Sequence, residues 1–345
     1  MMRETYLHIG LAKTGTTAIQ TALAAARPRL EAGGVLFPHA GTINRKGGHH
    51  CLAWRLARSP RFGALCSGDP VADLAREVAA TPARRIVISS EDLSAISYDE
   101  LAVGRLMAAL GGTTVSTVVY VREQVEWFSA FYAECLKELV EIRSIGEFIN
   151  SLQHEPRYHY ADWMRLWRAR TSRLIVRPFV RSRLEGGDVV SDFICATGLD
   201  DVLEPGDVPA RAAVNQTLAA ARVAAFLYVA RRLKFLGLTP EALGPELWLQ
   251  HKRRLIIAIQ EMPDLEGQPF WGIGRERARE IRDAYRASNR AFLADNGLDP
   301  DALESAAIKP LNRVHPKDLS AVVLGKLDRL IDPMFSPRER ALSEA

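Results

Sequence analysis

The sequence predicts an α/β protein in which helices flank a parallel sheet and a helical C-terminal region follows it. Short, largely apolar runs alternate with helix-like segments over the N-terminal part of the chain. Buried parallel strands have this apolar character, and the connections between them are usually helical. Beyond residue 205 the pattern is helical and contains no further strand-like run.

The first predicted strand, Thr5–Ile9, ends at Gly10, and Pro28 stops the predicted helix Thr16–Ala26 that follows. Three later runs are also predicted strands, because they are apolar or rich in β-branched residues. They are Arg85–Ile88, Thr114–Val121 and Arg173–Arg177, and the helices predicted beside them are Gln124–Leu139 and Tyr160–Arg170. This alternation predicts a parallel sheet with helices on both faces.

A length of 345 residues suggests about two folding units. Near Glu204–Pro209 the alternation of strand-like and helix-like segments gives way to helix-like segments alone. This change predicts an α/β core over residues 1–205 and a helical extension over 206–345 packed on it. The helices predicted in the extension are Val214–Leu236, Pro245–Glu261 and Arg275–Asn296. We expect residues 40–82 to form a long loop with short helices, and the proline-containing tail from Pro300 to wrap loosely.

The charge balance is mildly basic, with 45 Lys and Arg against 41 Asp and Glu. This suits a small anionic ligand and is too weak to predict a nucleic-acid partner. The four cysteines form no C-x-x-C pair, which argues against a zinc ribbon or a redox dithiol, and sparse cysteines are typical of a reducing compartment. Since no leader-like or membrane-spanning run is visible, we expect a cytoplasmic protein with no integral membrane segment.

The strongest local pattern is the segment GLAKTGTT between the first strand and the first helix. Unpaired N–H groups at a helix N-terminus, together with the helix dipole, favour an anion there. Two glycines allow a tight turn, a lysine adds positive charge, and three threonines add hydroxyl groups. These residues are Gly10, Lys13, Thr14, Gly15, Thr16 and Thr17. They predict a P-loop-like phosphate site, but the order differs from Walker A because Lys13 precedes Gly15.

This loop resembles the first loop of sulfotransferases that use 3′-phosphoadenylyl sulfate, which typically reads Lys-[Ser/Thr]-Gly-Thr-[Thr/Ser] after an N-terminal strand. Lys13–Thr17 fits that pattern at every position, and the flanking His8–Leu11 looks like the form in bacterial glycan sulfotransferases. The resemblance covers residues 5–25 and 85–140 and is looser over 158–200. It implies that the loop holds the 5′-phosphosulfate of the donor, and that the acceptor is a carbohydrate.

A second element of the resemblance is an arginine after a strand and a serine about eight residues later, which together hold the 3′-phosphate of the donor. Arg122 follows Thr114–Val121 in this way, but Ser129 comes seven residues later and the eighth position is Ala130. One residue along a helix is a rotation of about 100°. Ser129 is therefore a ligand only if the turn before its helix is shorter, and Arg122 alone could still hold the phosphate.

The implied reaction is in-line transfer of a sulfuryl group, which needs a cation at the leaving oxygen and a base at the acceptor. Lys13 is the predicted cation, and no metal is expected. His50 is the preferred base and His49 the next, because imidazole suits neutral pH and the pair follows a Gly-rich stretch. Glu91 is the rival, since it ends a predicted strand where such sheets bind ligands. Ser90 before it equally predicts a helix N-cap.

Two other functions stay open at this point. A nucleotide kinase or phosphotransferase would require Mg²⁺ and the Walker A order, which this loop lacks. A non-catalytic nucleotide-binding module would require the loop but would not depend on His49, His50 or Glu91.

Overall fold

The computed structural model describes residues 3–43, 47–60, 62–204, 217–304 and 308–334. Five strands form a parallel sheet: β1 Glu4–His8, β2 Val35–Leu36, β3 Arg85–Ser89, β4 Thr114–Val121 and β5 Arg173–Pro178. Their order across the sheet is β2-β3-β1-β4-β5. Together with the helices around it, this sheet confirms the predicted α/β fold class.

Helices connect the strands and form the C-terminal region. They are α1 Thr16–Ala25, α2 Arg27–Ala32, α3 His50–Leu56, α4 Pro70–Ala80, α5 Glu100–Ala109, α6 Gln124–Lys137, α7 Ile145–Leu152, α8 Tyr160–Arg170, α9 Val189–Ala196, α10 Ala220–Phe235, α11 Pro240–Leu243, α12 Pro245–Glu261, α13 Arg275–Ala294 and α14 Ala321–Ile331. The predicted bounds of β4, α8 and α12 match the structure. The predicted start of α10 at Val214 lies outside the described residues.

The central strand β1 is paired with β3 on one side and with β4 on the other. In this register His8, the last residue of β1, lies opposite Ser89 and Val118. The loops that follow β1, β3 and β4 therefore leave the sheet at the same edge. In parallel sheets this carboxyl edge, where the chain turns to opposite sides of a central strand, is where ligands bind.

Apolar side chains on α1 and α9 pack against the sheet. Ile19 and Leu23 of α1 and Phe193 of α9 are buried in one cluster with Tyr6 of β1 and Tyr120 of β4. This packing fixes the start of α1 relative to the end of β1, because the two elements are joined by a loop of only seven residues. Burial of this apolar area, rather than helix propensity, supplies most of the stability of such short helices.

The chain divides into two compact units. Unit 1 consists of Met1–Gln124, Glu155–Asn215 and Asp283–Ala306 and contains the sheet. Unit 2 consists of Val125–His154, Gln216–Arg282 and Ala307–Ala345, and in it α10 packs against α12 and α14. Each unit is therefore built from three separate segments of the chain. The predicted boundary between two consecutive domains, at residue 205, lies outside the described residues.

The segment 40–82, predicted to be a long loop with short helices, contains α3 and the eleven-residue α4. Asp69 caps α4 by accepting from the backbone N–H groups of Val71 and Ala72. The tail, expected to wrap loosely, contains α14, which Ser320 caps by accepting from the N–H of Val323. None of the helices formed by the described residues has the length and apolar run that crossing a lipid bilayer requires.

Candidate functional site

The segment Gly10–Thr17 leaves β1 at the carboxyl edge of the sheet and adopts a tight turn. Lys13 and Gly15 both have positive φ angles, 67° and 83°. The Thr14 hydroxyl closes the turn by donating to the carbonyl of Leu11 at 2.7 Å. Because that hydrogen bond uses the only hydroxyl proton, Thr14 can serve an anion mainly through its backbone N–H. Lys13, which contributes the positive charge of this segment, is partly exposed.

Gly15 is required by its backbone conformation and by its neighbours. Its φ of 83° lies in the left-handed region, and a Cβ atom there would lie 2.8 Å from Cγ1 of Val189 and 3.1 Å from the ring of Phe179. The sequence thus places glycine where the chain both turns and packs closely against α9.

The N-terminus of α1 is open to a ligand. Its N-cap residue, Gly15, has no side chain to accept from the first-turn N–H groups, and the first turn has no acidic residue. Thr16 and the half-buried Thr17 are the first two helical residues. The N–H of Ala18 donates to the carbonyl of Gly15 at 2.9 Å. The N–H groups of Thr16 and Thr17 precede the first carbonyl acceptors of the helix, and the helix dipole makes them attractive to an anion.

Two buried polar atoms adjoin this turn without a hydrogen-bond partner: Oγ1 of Thr16 and Nε2 of His8. A Cβ atom on Gly10 would lie 2.9 Å from the former and 3.5 Å from the latter, so both atoms border the small space that the glycine leaves. In the sequence, His8 belongs only to the flanking pattern His8–Leu11, which assigns it no role of its own. The available signal was a histidine next to the end of the predicted buried strand Thr5–Ile9.

Arg122 is held against the loop. Its Nη1 donates to the carbonyl of Lys13 at 3.0 Å, and its guanidinium lies over the ring of Phe179, 5.6 Å from the centroid. The hydroxyl of Tyr160 hydrogen-bonds to both the N–H and the carbonyl of Arg122. Arg122 therefore stabilises the turn that contains Lys13. Its contact with a 3′-phosphate stays a prediction.

Ser129 is buried on α6 and belongs to unit 2, whereas Arg122 belongs to unit 1. Its predicted role as a second phosphate ligand stays a prediction.

His50, the preferred base, lies in a polar cluster with Glu91 and Asp92. Its Nδ1 is 3.0 Å from Oδ2 of Asp92 and 3.1 Å from Oγ of Ser90. The indole of Trp54 stacks on the His50 ring and donates to the same carboxylate oxygen of Asp92 at 2.9 Å. A carboxylate close to Nδ1 orients the imidazole ring, as the third group does in a general-base arrangement.

Glu91 is anchored to the helix that begins at the loop. Nε2 of Gln20 donates to its Oε2 at 2.8 Å, and Gln20 lies one helical turn after Thr16. The carboxylate is also 3.9 Å from Nδ1 of His50. The alternative reading, a capped helix start, is present as well: Ser90 accepts from the N–H of Asp92 at the beginning of a 3₁₀ helix, Glu91–Ile96. Sequence reasoning did not single out Asp92 or Gln20.

His49, the second candidate base, is placed differently. It is fully buried, and its Nε2 lies 3.0 Å from the carbonyl of Pro38, to which it must donate. Its Nδ1 then accepts from the N–H of Ser89 at 3.2 Å. Burial lowers the pKa of this histidine to about 4. Because both ring nitrogens are bonded to the backbone, His49 holds the segment before α3 to the end of β3, and it does not present a basic nitrogen to a substrate.

A disulfide joins Cys51 on α3 to Cys66, with 5.7 Å between their Cα atoms. The sparse distribution of the four cysteines, which was expected to be typical of a reducing compartment, did not predict this disulfide. The pairing closes a loop of fifteen residues and fixes the helix that carries His50 and Trp54. Sequence spacing gave no means to identify the pair, because connectivity depends on the fold.

In the described ranges no three His, Cys, Asp or Glu side chains are arranged to hold a metal ion.

The fold and the loop define a parallel α/β protein whose central strand runs through a glycine-containing turn into a helix without a side-chain N-cap. No protein-family model matches the sequence, and searches of curated proteins and of solved structures find no match.

Proposed function

We propose that the protein is a sulfotransferase that moves a sulfuryl group from 3′-phosphoadenylyl sulfate to a hydroxyl or amine of an acceptor, with a carbohydrate as the expected acceptor class. The observation that carries the proposal is the run Lys13–Thr17, which fits the first loop of that family at every position and lies at the uncapped start of α1. The two unpartnered polar atoms beside Gly10 support an anion at this turn.

In this proposal the N–H groups at the start of α1 and the side chain of Lys13 bind the phosphosulfate of the donor. Negative charge develops on the bridging oxygen as the bond from sulfur to that oxygen breaks. Lys13 stabilises this charge, and the fixed N–H groups assist it without needing to reorganise. Arg122 keeps the turn in place through its hydrogen bond to the Lys13 carbonyl.

His50 is the proposed base. The acceptor oxygen forms a bond to sulfur, its proton passes to Nε2 of His50, and adenosine 3′,5′-bisphosphate leaves with the electron pair of the broken bond. Asp92 orients the ring and stabilises the imidazolium that forms, through the contact of 3.0 Å to Nδ1. Glu91 is the alternative base, because it lies in the same cluster and is anchored to α1.

The cytoplasmic location stays a prediction. A disulfide between Cys51 and Cys66 favours an oxidising compartment, because cytosolic thiols are mostly kept reduced.

Calorimetric titration with adenosine 3′,5′-bisphosphate, and separately with ATP and Mg²⁺, tests the proposal. We expect the bisphosphate to bind more tightly, and Lys13→Ala to weaken its binding by about 10- to 100-fold through loss of a charged contact. The exposed Lys317→Ala is the matched control and should bind as the wild type does. Preference for ATP with Mg²⁺ would contradict the proposal and support a phosphotransferase.

A further inference from the structure

The side chain of His8 is buried at the junction of β1 and the loop, and one of its ring nitrogens is committed. Nδ1 lies 2.8 Å from Oγ of Ser89, the residue opposite it on β3. The ring also packs edge-on against Tyr120 and at a tilt against Phe193, with centroids 5.7 Å and 5.3 Å away. These contacts fix the orientation of the imidazole, so that Nε2 is directed to the space beside Gly10.

Leaving a buried polar atom without a partner costs about 1–3 kcal/mol, and native proteins contain few such atoms. Here two occur on the border of one small space, Nε2 of His8 and Oγ1 of Thr16, on side chains that are 0% and 3% exposed. The glycine at position 10 keeps that space open, since a Cβ atom would come within 2.9 Å of the Thr16 hydroxyl. Thr16 is the first residue of α1, so the space lies at the start of that helix. A ligand with several acceptor oxygens satisfies all of these donors together.

We propose that His8 is a ligand of the anion bound by the Gly10–Thr17 loop, with its Nε2–H donating to an anionic oxygen beside the Thr16 hydroxyl. The inference rests on the proposed function, because it takes this loop as the site of the donor's phosphosulfate. In this arrangement the Ser89 hydroxyl donates to Nδ1, which places the imidazole proton on Nε2.

The burial of His8 determines its protonation state. Desolvation lowers its pKa to about 3, so the ring is neutral at neutral pH. A neutral imidazole held by Ser89 is a donor of fixed direction, and this complements the positive charge of Lys13. His8 thus contributes orientation to anion binding, while Lys13 contributes charge.

Two substitutions of His8 separate this role from a structural one. The amide nitrogen of glutamine reaches about as far as Nε2 of histidine, whereas that of asparagine reaches only to the position of Nδ1. Calorimetry with adenosine 3′,5′-bisphosphate should therefore give about 10- to 100-fold weaker binding for His8→Asn, with most of the affinity recovered in His8→Gln. Thr16→Val should also weaken binding, and Thr16→Ser should retain it. Wild-type affinity in His8→Asn would overturn the inference and leave the proposed function standing.

A measurement on the unmodified protein covers the case in which a variant fails to fold. Nitrogen NMR of histidine-labelled wild-type protein should show His8 as the Nε2–H tautomer, with a shift of that N–H on saturation with the bisphosphate. An Nδ1–H tautomer, or no change on saturation, would overturn the inference. If the wild type binds inorganic phosphate with the same dependence on His8 but not the bisphosphate, His8 is an anion ligand and the sulfotransferase assignment fails. Absence of binding to both probes overturns both proposals.

Discussion

His49 and His50 are adjacent residues with different chemistry because α3 begins between them. His49 is the N-cap residue of α3, and its ring points into the protein, where it contacts Phe37 edge-on. His50 is the first helical residue, and its ring lies between Trp54 and the carboxylate of Asp92. The His49 ring is therefore bonded to the backbone, whereas the ring of the next residue, His50, is oriented by an acidic side chain.

At the scale of single residues, the contact between His50 and Asp92 predicts a positioning role for the carboxylate. Asp92→Asn should lower kcat by about tenfold or more, because an amide can favour the other imidazole tautomer, and should leave affinity for adenosine 3′,5′-bisphosphate unchanged. Release of the bisphosphate from 3′-phosphoadenylyl sulfate, with a mixture of polysaccharides as acceptor, measures kcat and KM. Asp73→Asn, which alters a carboxylate paired with exposed Arg76, is the control. Unchanged turnover and an unchanged His50 tautomer in nitrogen NMR would contradict this role.

At the scale of elements, the turn between β1 and α1 depends on the space beside Gly10. Gly10→Ala should weaken binding of adenosine 3′,5′-bisphosphate by about tenfold or more, because the added methyl group fills that space and displaces the Thr16 hydroxyl. Gly104→Ala on α5 is the matched control, since a Cβ there meets no atom within 4 Å. It should retain binding and stabilise the protein by about 0.5–1 kcal/mol through helix propensity. If Gly10→Ala bound the bisphosphate as tightly as the wild type does, the space beside Gly10 would not be part of the binding site.

The disulfide gives a second prediction for an element, the helix α3. Thiol titration of the denatured protein without reductant should detect two thiols, Cys135 and Cys195, and reduction should raise the number to four. Cys51→Ser should destabilise the protein by about 2–4 kcal/mol in urea unfolding, because the unfolded chain gains freedom when the cross-link is lost. Cys195→Ser, which removes an exposed free thiol, is the control. Four reactive thiols without reductant would rule out the disulfide.

At the scale of the whole molecule, the sequence predicted elements whose pattern is strong and local. The β-branched run Thr114–Val121 and the helix over Tyr160–Arg170 have the predicted bounds, and the turn before α1 follows from its glycines. β2 was not predicted, because a strand of two residues is too short to show a pattern of apolar and polar positions. The pairings of Cys51 with Cys66 and of His8 with Ser89 join residues far apart in sequence, and only the sheet register and packing bring them together.

The stability of the whole molecule should fall in mild acid because two histidines are buried in neutral form. Burial lowers the pKa of His8 to about 3 and that of His49 to about 4, against about 6.5 in an unfolded chain. As the pH falls below 6.5 the unfolded state binds protons that the folded state does not. The free energy of unfolding then decreases, by up to about 1.4 kcal/mol per pH unit for each histidine. This loss continues to about pH 4 for His49 and to about pH 3 for His8.

Urea unfolding of the wild type, His49→Gln and His8→Gln at intervals from pH 7 to 4.5 measures the effect. Each substitution removes one proton-binding site from the unfolded state, so its free energy of unfolding should change less steeply with pH than that of the wild type. Carboxylates that titrate in the lower part of this range are common to all the proteins, so the difference in slope isolates the histidine. His154→Gln, which removes an exposed ring, is the surface control. Equal slopes for His49→Gln and wild type between pH 6.5 and 5 would show that His49 is not buried as a neutral ring.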